Sequence, residues 1–321
     1  MIENILYLAS VFIAINMGVS GFAISFTPSY GSGIIKRNTA SFFYTIFVIL
    51  GALLVGGRVV ETLTTKLSSS YSANSGLIII LVSGFVMFLA NILKIPQSTS
   101  FVTVGAFSGA AYYYSKSVNI IVLLKILFFA ILFCVLAFFI TYFIMKKFFY
   151  PPGPNNFRLY EKSFVHKNKI RRFILYTDFY SSFAVGTNNV ANVVAPILLM
   201  FKFDTKLLLF IVGLFFGLGS LFFGKKVINS VSKEIIPIGE ISAFIISFIT
   251  ASFVVLASIL GLPTPYVQIT TFSVLAISVV KDGFFYTFKK SVVKRIFYVW
   301  FLCPLLSFIL SYLVHYIFGV I

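Results

Sequence analysis

The sequence predicts an all-α polytopic membrane protein with about ten transmembrane helices. Of its 321 residues, 60% are hydrophobic and only 10% are charged, and the mean hydropathy is strongly positive. Such a chain cannot cover a water-facing surface with polar side chains. A hydrocarbon slab of ~30 Å takes ~20 apolar residues as a helix, and about ten such stretches occur. The long phenylalanine-rich runs lack the alternation of a membrane barrel.

The apolar stretches form two groups of five, separated by a polar interval. The first helices are expected at 4–24, 40–57, 75–93, 101–115 and 118–145. The second are expected at 173–200, 206–224, 236–260, 266–281 and 296–320. The interval between the groups contains eight basic residues and three prolines. We therefore expect a first transmembrane repeat, a basic cytoplasmic linker and a second transmembrane repeat, at 1–145, 146–172 and 173–321.

The two groups are copies of one repeat. At an offset of 168 positions they share glycines, alanines and prolines. The pairs are Gly18 with Gly186, Ala23 with Ala191, Pro28 with Pro196, Gly51 with Gly219 and Gly56 with Gly224. Five crossings per copy is an odd number, so the second copy is expected to have the opposite orientation in the bilayer. The sequence therefore predicts an inverted-topology repeat with broken helices at its centre.

Basic residues predict the orientation in the cell membrane. With the amino terminus outside, the inner breaks contain 19 basic residues and the outer breaks contain five. Cytoplasmic loops are enriched in Lys and Arg. Both termini are therefore expected outside, and the central basic loop is expected in the cytoplasm. The net charge of +17 follows from this topology, so nucleic-acid binding is not expected.

A first pair of polar segments, one in each copy, interrupts the apolar runs. Asn188, Asn189 and Asn192 lie in the segment GTNNVANVVAP, and Ser20 is the first-copy residue equivalent to Asn188. Amides are costly in hydrocarbon, and two of these lie about one helical turn apart. Together they indicate a binding site.

A second pair of polar segments, again one in each copy, contains prolines followed by small polar residues. The segment IPQSTS puts Ser98, Thr99 and Ser100 where a helix could begin with free backbone amides. The second copy reads LPTPYVQITT, in which Thr264 and Gln268 are candidate ligands. Two helix starts that face each other would bind an oxyanion without a buried lysine. The alternative is that these small polar residues only let helices pack closely.

Carboxylates at membrane depth are candidate sites for a coupling ion. Asp178 and Glu240 are the coupling candidates, whereas Glu61 and Asp282 are expected to pair with neighbouring basic residues at the interface. The cysteines and histidines lack ligand spacing, so no metal site, disulfide or other cofactor is expected. An intramembrane enzyme is not expected either, because no nucleophile or metal cluster accompanies the polar breaks.

The polar segments resemble the inorganic phosphate transporter family, and they look closer still to its sulfate permease branch. The similarity spans nearly the whole chain and includes the segments NMGVSGFAISFTPSYGSGIIKRNTAS, IPQSTSFVTVGA, GTNNVANVVAP and LPTPYVQITT. The family motif, Gly-Ala-Asn-Asp-Val-Ala-Asn-Ala, contains an acid in each copy that helps to bind sodium and phosphate. Gly21 and Asn189 stand at those positions here. The resemblance therefore implies an anion transporter, but neither sodium coupling nor phosphate preference.

The missing acids favour sulfate. Phosphate near neutral pH keeps a proton that it can donate to a carboxylate, whereas sulfate only accepts hydrogen bonds. A site that contains donors alone suits sulfate. We expect a secondary transporter that imports an inorganic oxyanion, sulfate, by proton symport; the alternative is a sodium- or proton-coupled phosphate transporter of the same fold. The expected partners are the anion and the lipid bilayer, and the sequence is compatible with a homodimer.

Overall fold

The computed structural model is all-helical and describes residues 2–31, 33–72, 74–92, 97–115, 118–149, 167–231 and 240–318. The helices of the first half are α1 (Ile2–Gly31), α2 (Arg37–Lys66), α3 (Ser75–Ile92), α4 (Thr99–Ser115) and α5 (Ile120–Ile144). Helix α2 contains two π-helical stretches, Ala52–Gly56 and Thr62–Lys66. A further π-helical stretch, Met145–Phe149, continues α5.

The second half repeats this order, but its first helix is broken in two. Its helices are α6 (Lys167–Asn188), α7 (Ala191–Met200), α8 (Thr205–Val231), α9 (Glu240–Ile259), α10 (Tyr266–Asp282), α11 (Phe284–Lys289) and α12 (Ser291–Phe318). The sequence predicts one helix over 173–200, whereas the structure has a turn at Asn189 and Val190. Asparagine side chains compete with helical hydrogen bonding and favour turns, which accounts for the break.

The described residues contain seven helices that are long and apolar enough to cross a membrane, fewer than the ten expected. These spans are Tyr7–Phe26, Arg37–Lys66, Ile120–Lys147, Asn168–Met200, Thr205–Phe222, Ser242–Ile259 and Ser291–Phe318. Helices α4 and α10 contain 17 residues each, about 26 Å at 1.5 Å per residue. They are shorter than the ~30 Å of hydrocarbon because the polar breaks truncate them.

Helix α1 and its counterpart α6–α7 run antiparallel. Near the start of α1, the Tyr7 ring stacks on Phe201, which follows α7, with ring centroids 5.1 Å apart. Near the end of α1, the Ser29 amide donates to the Asp178 carboxylate of α6 at 3.1 Å. The beginning of one helix therefore lies beside the end of the other.

Glycines allow the two halves to pack backbone against backbone. Helix α1 packs on α8, and α6 packs on α2. A Cβ atom at Gly51 would collide with the carbonyl oxygen of Phe183, and one at Gly219 would collide with that of Ile15. The two contacts are equivalent in the repeat, because Gly219 lies 168 positions after Gly51 and Ile15 lies 168 positions before Phe183. The repeat in the sequence is therefore also a repeat in the packing.

The helices on either side of each proline-containing break form a hairpin. The Tyr114 hydroxyl of α4 lies 2.6 Å from the Ser72 hydroxyl, just before α3, so the α3–α4 hairpin begins and ends at one face. This hairpin packs along α7. The α9–α10 hairpin lies along α6 instead, where the rings of Tyr180 and Phe248 have centroids 5.9 Å apart. The hairpins thus occupy opposite halves of α6–α7, and their tips meet at its break.

The packing at Gly51 predicts a large difference between two Gly→Ala substitutions in α2. Gly57 has no atom within 4 Å of an added Cβ. We expect Gly51→Ala to lower the free energy of unfolding by about 1–3 kcal/mol through overpacking. Gly57→Ala should leave it unchanged or raise it, because alanine favours helix more than glycine does. Thermal unfolding in detergent measures both, and equal unfolding temperatures would contradict the tight contact.

Candidate functional site

The polar breaks of the two halves come together at the centre of the fold. The hairpin tips contribute residues before and within the first turns of α4 and α10, and the break in α6–α7 contributes the asparagines. All of the predicted ligands at these places are buried: Ser98, Thr99, Ser100, Asn188, Asn189, Asn192 and Gln268. The central cluster, as the term is used below, consists of the hydrogen-bonded residues Thr99, Ser100, Asn188, Asn189, Asn192 and Gln268, together with their partners Gln97 and Thr264.

The side-chain amide of Asn188 joins both hairpin tips. Its Oδ1 accepts the backbone N–H of Thr264 at 3.0 Å, and its Nδ2 donates to the carbonyl of Thr264 at 2.8 Å. The same Nδ2 lies 3.0 Å from Ser100 Oγ and 3.0 Å from Asn189 Oδ1. An amide NH₂ has two protons, so the donors of Asn188 are already used within the protein. Asn188 therefore positions the tips.

Asn192 contacts the α3–α4 tip one turn further along. Its Nδ2 donates to Ser100 Oγ at 3.0 Å and lies 3.3 Å from Thr99 Oγ1. Ser100 Oγ therefore accepts hydrogen bonds from two amides, those of Asn188 and Asn192. A hydroxyl oxygen has two lone pairs and one proton. Because an amide nitrogen can only donate, neither neighbour accepts the Ser100 proton, which is available to donate to a further group.

The two tips also contact each other directly. Gln268 Nε2 donates to Gln97 Oε1 at 3.3 Å. Helix α10 begins after Pro265 without a side-chain cap, and α4 begins at Thr99. The first amides of a helix have no helical partner, and each helix start carries about half a positive charge. Two such starts and a donating hydroxyl, with no carboxylate in the cluster, form a site suited to an anion.

Two predicted site residues lie apart from the central cluster, and the side chain of a third lies outside the described residues. Ser20 is partly buried, and its hydroxyl donates to the carbonyl of Met17 in its own helix at 2.9 Å. Glu240 begins α9, and its side chain lies outside the described residues. Asp178 is completely buried in α6.

The carboxylate of Asp178 has few partners. One oxygen accepts the Ser29 amide at 3.1 Å, and the other has no hydrogen-bond partner among the described residues. In the part of the chain that the structure describes, the two ion pairs are Lys66 with Glu61 and Lys290 with Asp282. Burial of a charged carboxylate that has no cation beside it costs roughly several kcal/mol. Binding of a proton neutralises the group and removes that cost.

Metal ligands do not gather anywhere in the described ranges, where no group of three or more His, Cys, Asp or Glu side chains occurs. Cys134 and Cys303 are both buried and free.

Sequence reasoning missed two contributions to the cluster. Gln97 was not singled out, and Thr264 was expected to act through its hydroxyl. In the structure the Thr264 hydroxyl donates to the Leu262 carbonyl at 2.9 Å, and its backbone contacts Asn188. Each of the two residues directly follows a proline, Pro96 or Pro263, and these prolines are equivalent in the repeat once a deletion of one residue is allowed. That equivalence is the signal that could have identified both.

Comparisons with known proteins agree over the whole chain. The model described as "Phosphate transporter family" matches residues 17–151 and 154–311. The sulfate permease CysP of Bacillus subtilis (strain 168) is 34% identical over 309 residues, which cover 95% of this chain and 85% of that protein. The sodium-dependent phosphate transporter 1 of Mus musculus is 30% identical over 146 residues, 41% of this chain and 21% of that protein.

A solved structure, named "The sodium-dependent phosphate transporter", has the same fold. It superposes with a TM-score of 0.80 at 21% sequence identity, and the match covers 100% of this chain and 99% of the other. This likeness establishes the fold alone.

The pairing of Asn188 with both tips predicts a loss of stability in Asn188→Ala. The substitution leaves the buried Thr264 N–H without a partner and leaves the Thr264 carbonyl with only the Tyr266 amide, so we expect the free energy of unfolding to fall by roughly 2 kcal/mol or more. Asn16→Ala is the matched control, because Asn16 is exposed and bonds only within its own helix, to the Phe12 carbonyl at 2.8 Å. Thermal unfolding in detergent compares the two. A stability loss no larger than that of the control would contradict the positioning role.

Proposed function

Because the chain belongs to the phosphate transporter family, we propose that it is a secondary transporter that imports sulfate by proton symport. Family membership makes it an inorganic anion transporter in the membrane, and it is not an enzyme. It also confirms the family resemblance drawn from the sequence. The choice of sulfate and of the proton comes from the chemistry of the site.

The observation that carries the sulfate assignment is the hydrogen bonding of Ser100. Its oxygen accepts from Asn188 and Asn192, which cannot accept its proton in return, so the proton can be donated to a bound anion. Sulfate at neutral pH is fully deprotonated and only accepts hydrogen bonds. An anion between the starts of α4 and α10 would accept hydrogen bonds from the Ser100 hydroxyl and from backbone amides in the first turns of both helices, apart from the Tyr266 amide, which donates to the Thr264 carbonyl. The two asparagines then orient the binding hydroxyl rather than bind the anion themselves.

The absence of acid side chains in the central cluster favours an anion that carries no proton, such as sulfate. The positions equivalent in the repeat, 21 and 189, are occupied by Gly21 and Asn189. A carboxylate at either position would repel sulfate, whereas it would accept the proton of a phosphate ion. One relative that matches nearly the whole chain is itself named a sulfate permease, which supports the same substrate.

Asp178 is the proposed proton site. Import of a dianion against a negative membrane potential costs ~2.3 kcal/mol per charge per 100 mV, so cations must enter with it. Asp178 is buried in a membrane span, and its second oxygen has no hydrogen-bond partner in the described part of the chain. A carboxyl group in this environment can carry a proton as part of the transport cycle.

The proposed architecture is a pair of inverted repeats with both termini outside and the basic linker in the cytoplasm. The antiparallel course of α1 and α6–α7 supports the inversion. The hairpins along opposite halves of α6–α7 enter from opposite membrane faces. Alternating access then follows when one hairpin and its half move relative to the other around the central cluster.

Phosphate is the second candidate substrate, and one observation favours it. Asn192 Oδ1 and Gln268 Oε1 are buried acceptors without hydrogen-bond partners among the described residues. Either oxygen could accept the proton of a phosphate ion, which sulfate lacks. Competition by phosphate against labelled sulfate distinguishes the two.

The coupling proposal predicts the response of transport to imposed gradients. In proteoliposomes, an inward proton gradient should drive accumulation of labelled sulfate, and a sodium gradient should not. Asp178→Asn keeps the size of the side chain but cannot bind the proton. We expect it to retain sulfate exchange across the membrane and to lose proton-driven accumulation.

Asp204→Asn is the control for this experiment. Asp204 is exposed, and it accepts the Leu207 amide at the start of α8 at 3.1 Å, a bond that asparagine can also accept. Its transport should equal that of the wild type. Sulfate uptake that follows sodium and ignores the proton gradient would refute proton symport.

The role of Ser100 predicts a specific loss of affinity in Ser100→Ala. A hydrogen bond to a charged group contributes roughly 1.5–3 kcal/mol, so the dissociation constant for sulfate should rise about tenfold or more. Ser108→Ala removes another buried hydroxyl of α4, one without a partner among the described residues, and should leave the affinity unchanged. Sulfate-induced thermal stabilisation measures both variants. Equal affinities would show that Ser100 does not bind the anion.

A further inference from the structure

Tyr44 fills the space beside a glycine at the interface of the two halves. Its side chain is completely buried in α2, and its hydroxyl has no hydrogen-bond partner among the described residues. The ring packs edge-on against Phe22 of α1, with centroids 5.5 Å apart. A Cβ atom at Gly21 would collide with the Tyr44 hydroxyl and would lie 2.9 Å from Val185 Cγ1. The hydroxyl therefore occupies the place of a side chain at position 21.

Position 21 is equivalent to Asn189 in the repeat, because the two are separated by 168 positions. At the same offset, Tyr44 is equivalent to Val212. The second copy thus combines a polar side chain at the break with a small apolar residue on the next helix. The first copy reverses this arrangement with a glycine on α1 and a phenol on α2. Each half therefore presents one polar group at the same place in its fold.

The Tyr44 hydroxyl lies close to the break in α6–α7, because the Cβ position at Gly21 that it occupies adjoins Val185, whose carbonyl accepts the Asn189 amide at 2.8 Å. Tyr266 lies near enough to Tyr44 that a charge on one ring oxygen would act on the other. Tyr266 is the first residue of α10, and its amide donates to the carbonyl of Thr264 at 3.0 Å, the same carbonyl that Asn188 contacts. The Ser181 hydroxyl and the Asp178 carboxyl also lie near Tyr266. A buried phenol without a partner is costly, so its retention in this neighbourhood needs an explanation.

We propose that Tyr44 is a further substrate-binding residue, whose hydroxyl donates to the transported oxyanion from the first copy. This inference rests on the anion transport proposed above. A phenol supplies a donor and stays neutral beside a dianion. It replaces at position 21 the polar group that Asn189 supplies in the second copy. The first copy therefore contributes to substrate selection through α2 as well as through the hairpin tip.

The test is Tyr44→Phe, which removes one oxygen and keeps the ring packing. Sulfate and inorganic phosphate are titrated against the purified full chain in detergent, and their dissociation constants are obtained from thermal stabilisation. We expect sulfate affinity to fall roughly tenfold to a hundredfold. The unfolding temperature without anion should stay the same or rise, because a buried hydroxyl without a partner is removed.

Tyr71→Phe is the matched control, because the Tyr71 hydroxyl donates to the Phe107 carbonyl at 3.4 Å, away from the central cluster. This variant should keep the wild-type affinity. If the wild type binds sulfate and Tyr44→Phe binds it equally well, the role of Tyr44 is wrong while the proposed function stands. A fall in the anion-free unfolding temperature that accounts for the weaker binding would also overturn the role, since the hydroxyl would then be structural. If the wild type binds neither anion, the proposed function fails first.

Discussion

The interaction on which the rest of the structure depends is the pairing of the Asn188 amide with the two hairpin tips. One side chain contacts the backbone of Thr264 in the α9–α10 hairpin and the hydroxyl of Ser100 in the α3–α4 hairpin. An amide in an apolar interior is costly unless it is hydrogen-bonded. The tips, for their part, have backbone groups at helix breaks that need partners. The Asn188 amide and the backbone groups of the tips satisfy each other's hydrogen bonding, and this pairing fixes where the hairpins end.

This arrangement also explains why the site is polar without being charged. The asparagines use their donors on the protein, and the hydroxyl of Ser100 and other first-turn amides of α4 and α10, apart from that of Tyr266, are left for a ligand. Glycines at the contacts between α1, α2, α6 and α8 bring the halves close enough to complete the site. Close backbone packing and an uncharged central cluster are therefore two results of the same repeat. A movement that separates the tips must break the bonds of Asn188 or carry them along.

Much of this could be predicted from the sequence, because polar residues in an apolar chain stand out. The asparagines and the IPQSTS segment were expected at one site, and their hydrogen bonds bring Ser100, Asn188 and Asn192 together. The repeat offset paired Gly51 with Gly219, and in the structure these two glycines make equivalent close contacts. The polar interruption at the asparagines was expected, but the helix over 173–200 was expected to be continuous, and no helix was expected between 281 and 296, where α11 lies.

Other parts of the site depend on tertiary contacts that no local pattern contains. The use of the Thr264 backbone follows from the position of the hairpin tip, not from its residue type. Tyr44 looks like an ordinary aromatic residue of a membrane helix until its hydroxyl is seen against Gly21. Ser20 aligns with Asn188, yet its hydroxyl bonds within α1, because a serine can satisfy itself on the preceding turn.

Anomalous diffraction from crystals soaked in selenate gives the most direct test of an anion site between the hairpin tips. Selenate is a tetrahedral dianion like sulfate, and selenium can be located without reference to the protein. We expect one selenium peak at the break in α6–α7, with oxygens in hydrogen-bonding distance of Ser100 and of the first amides of α4 and α10. Selenium peaks only at other places, with the space between the tips empty, would contradict the site.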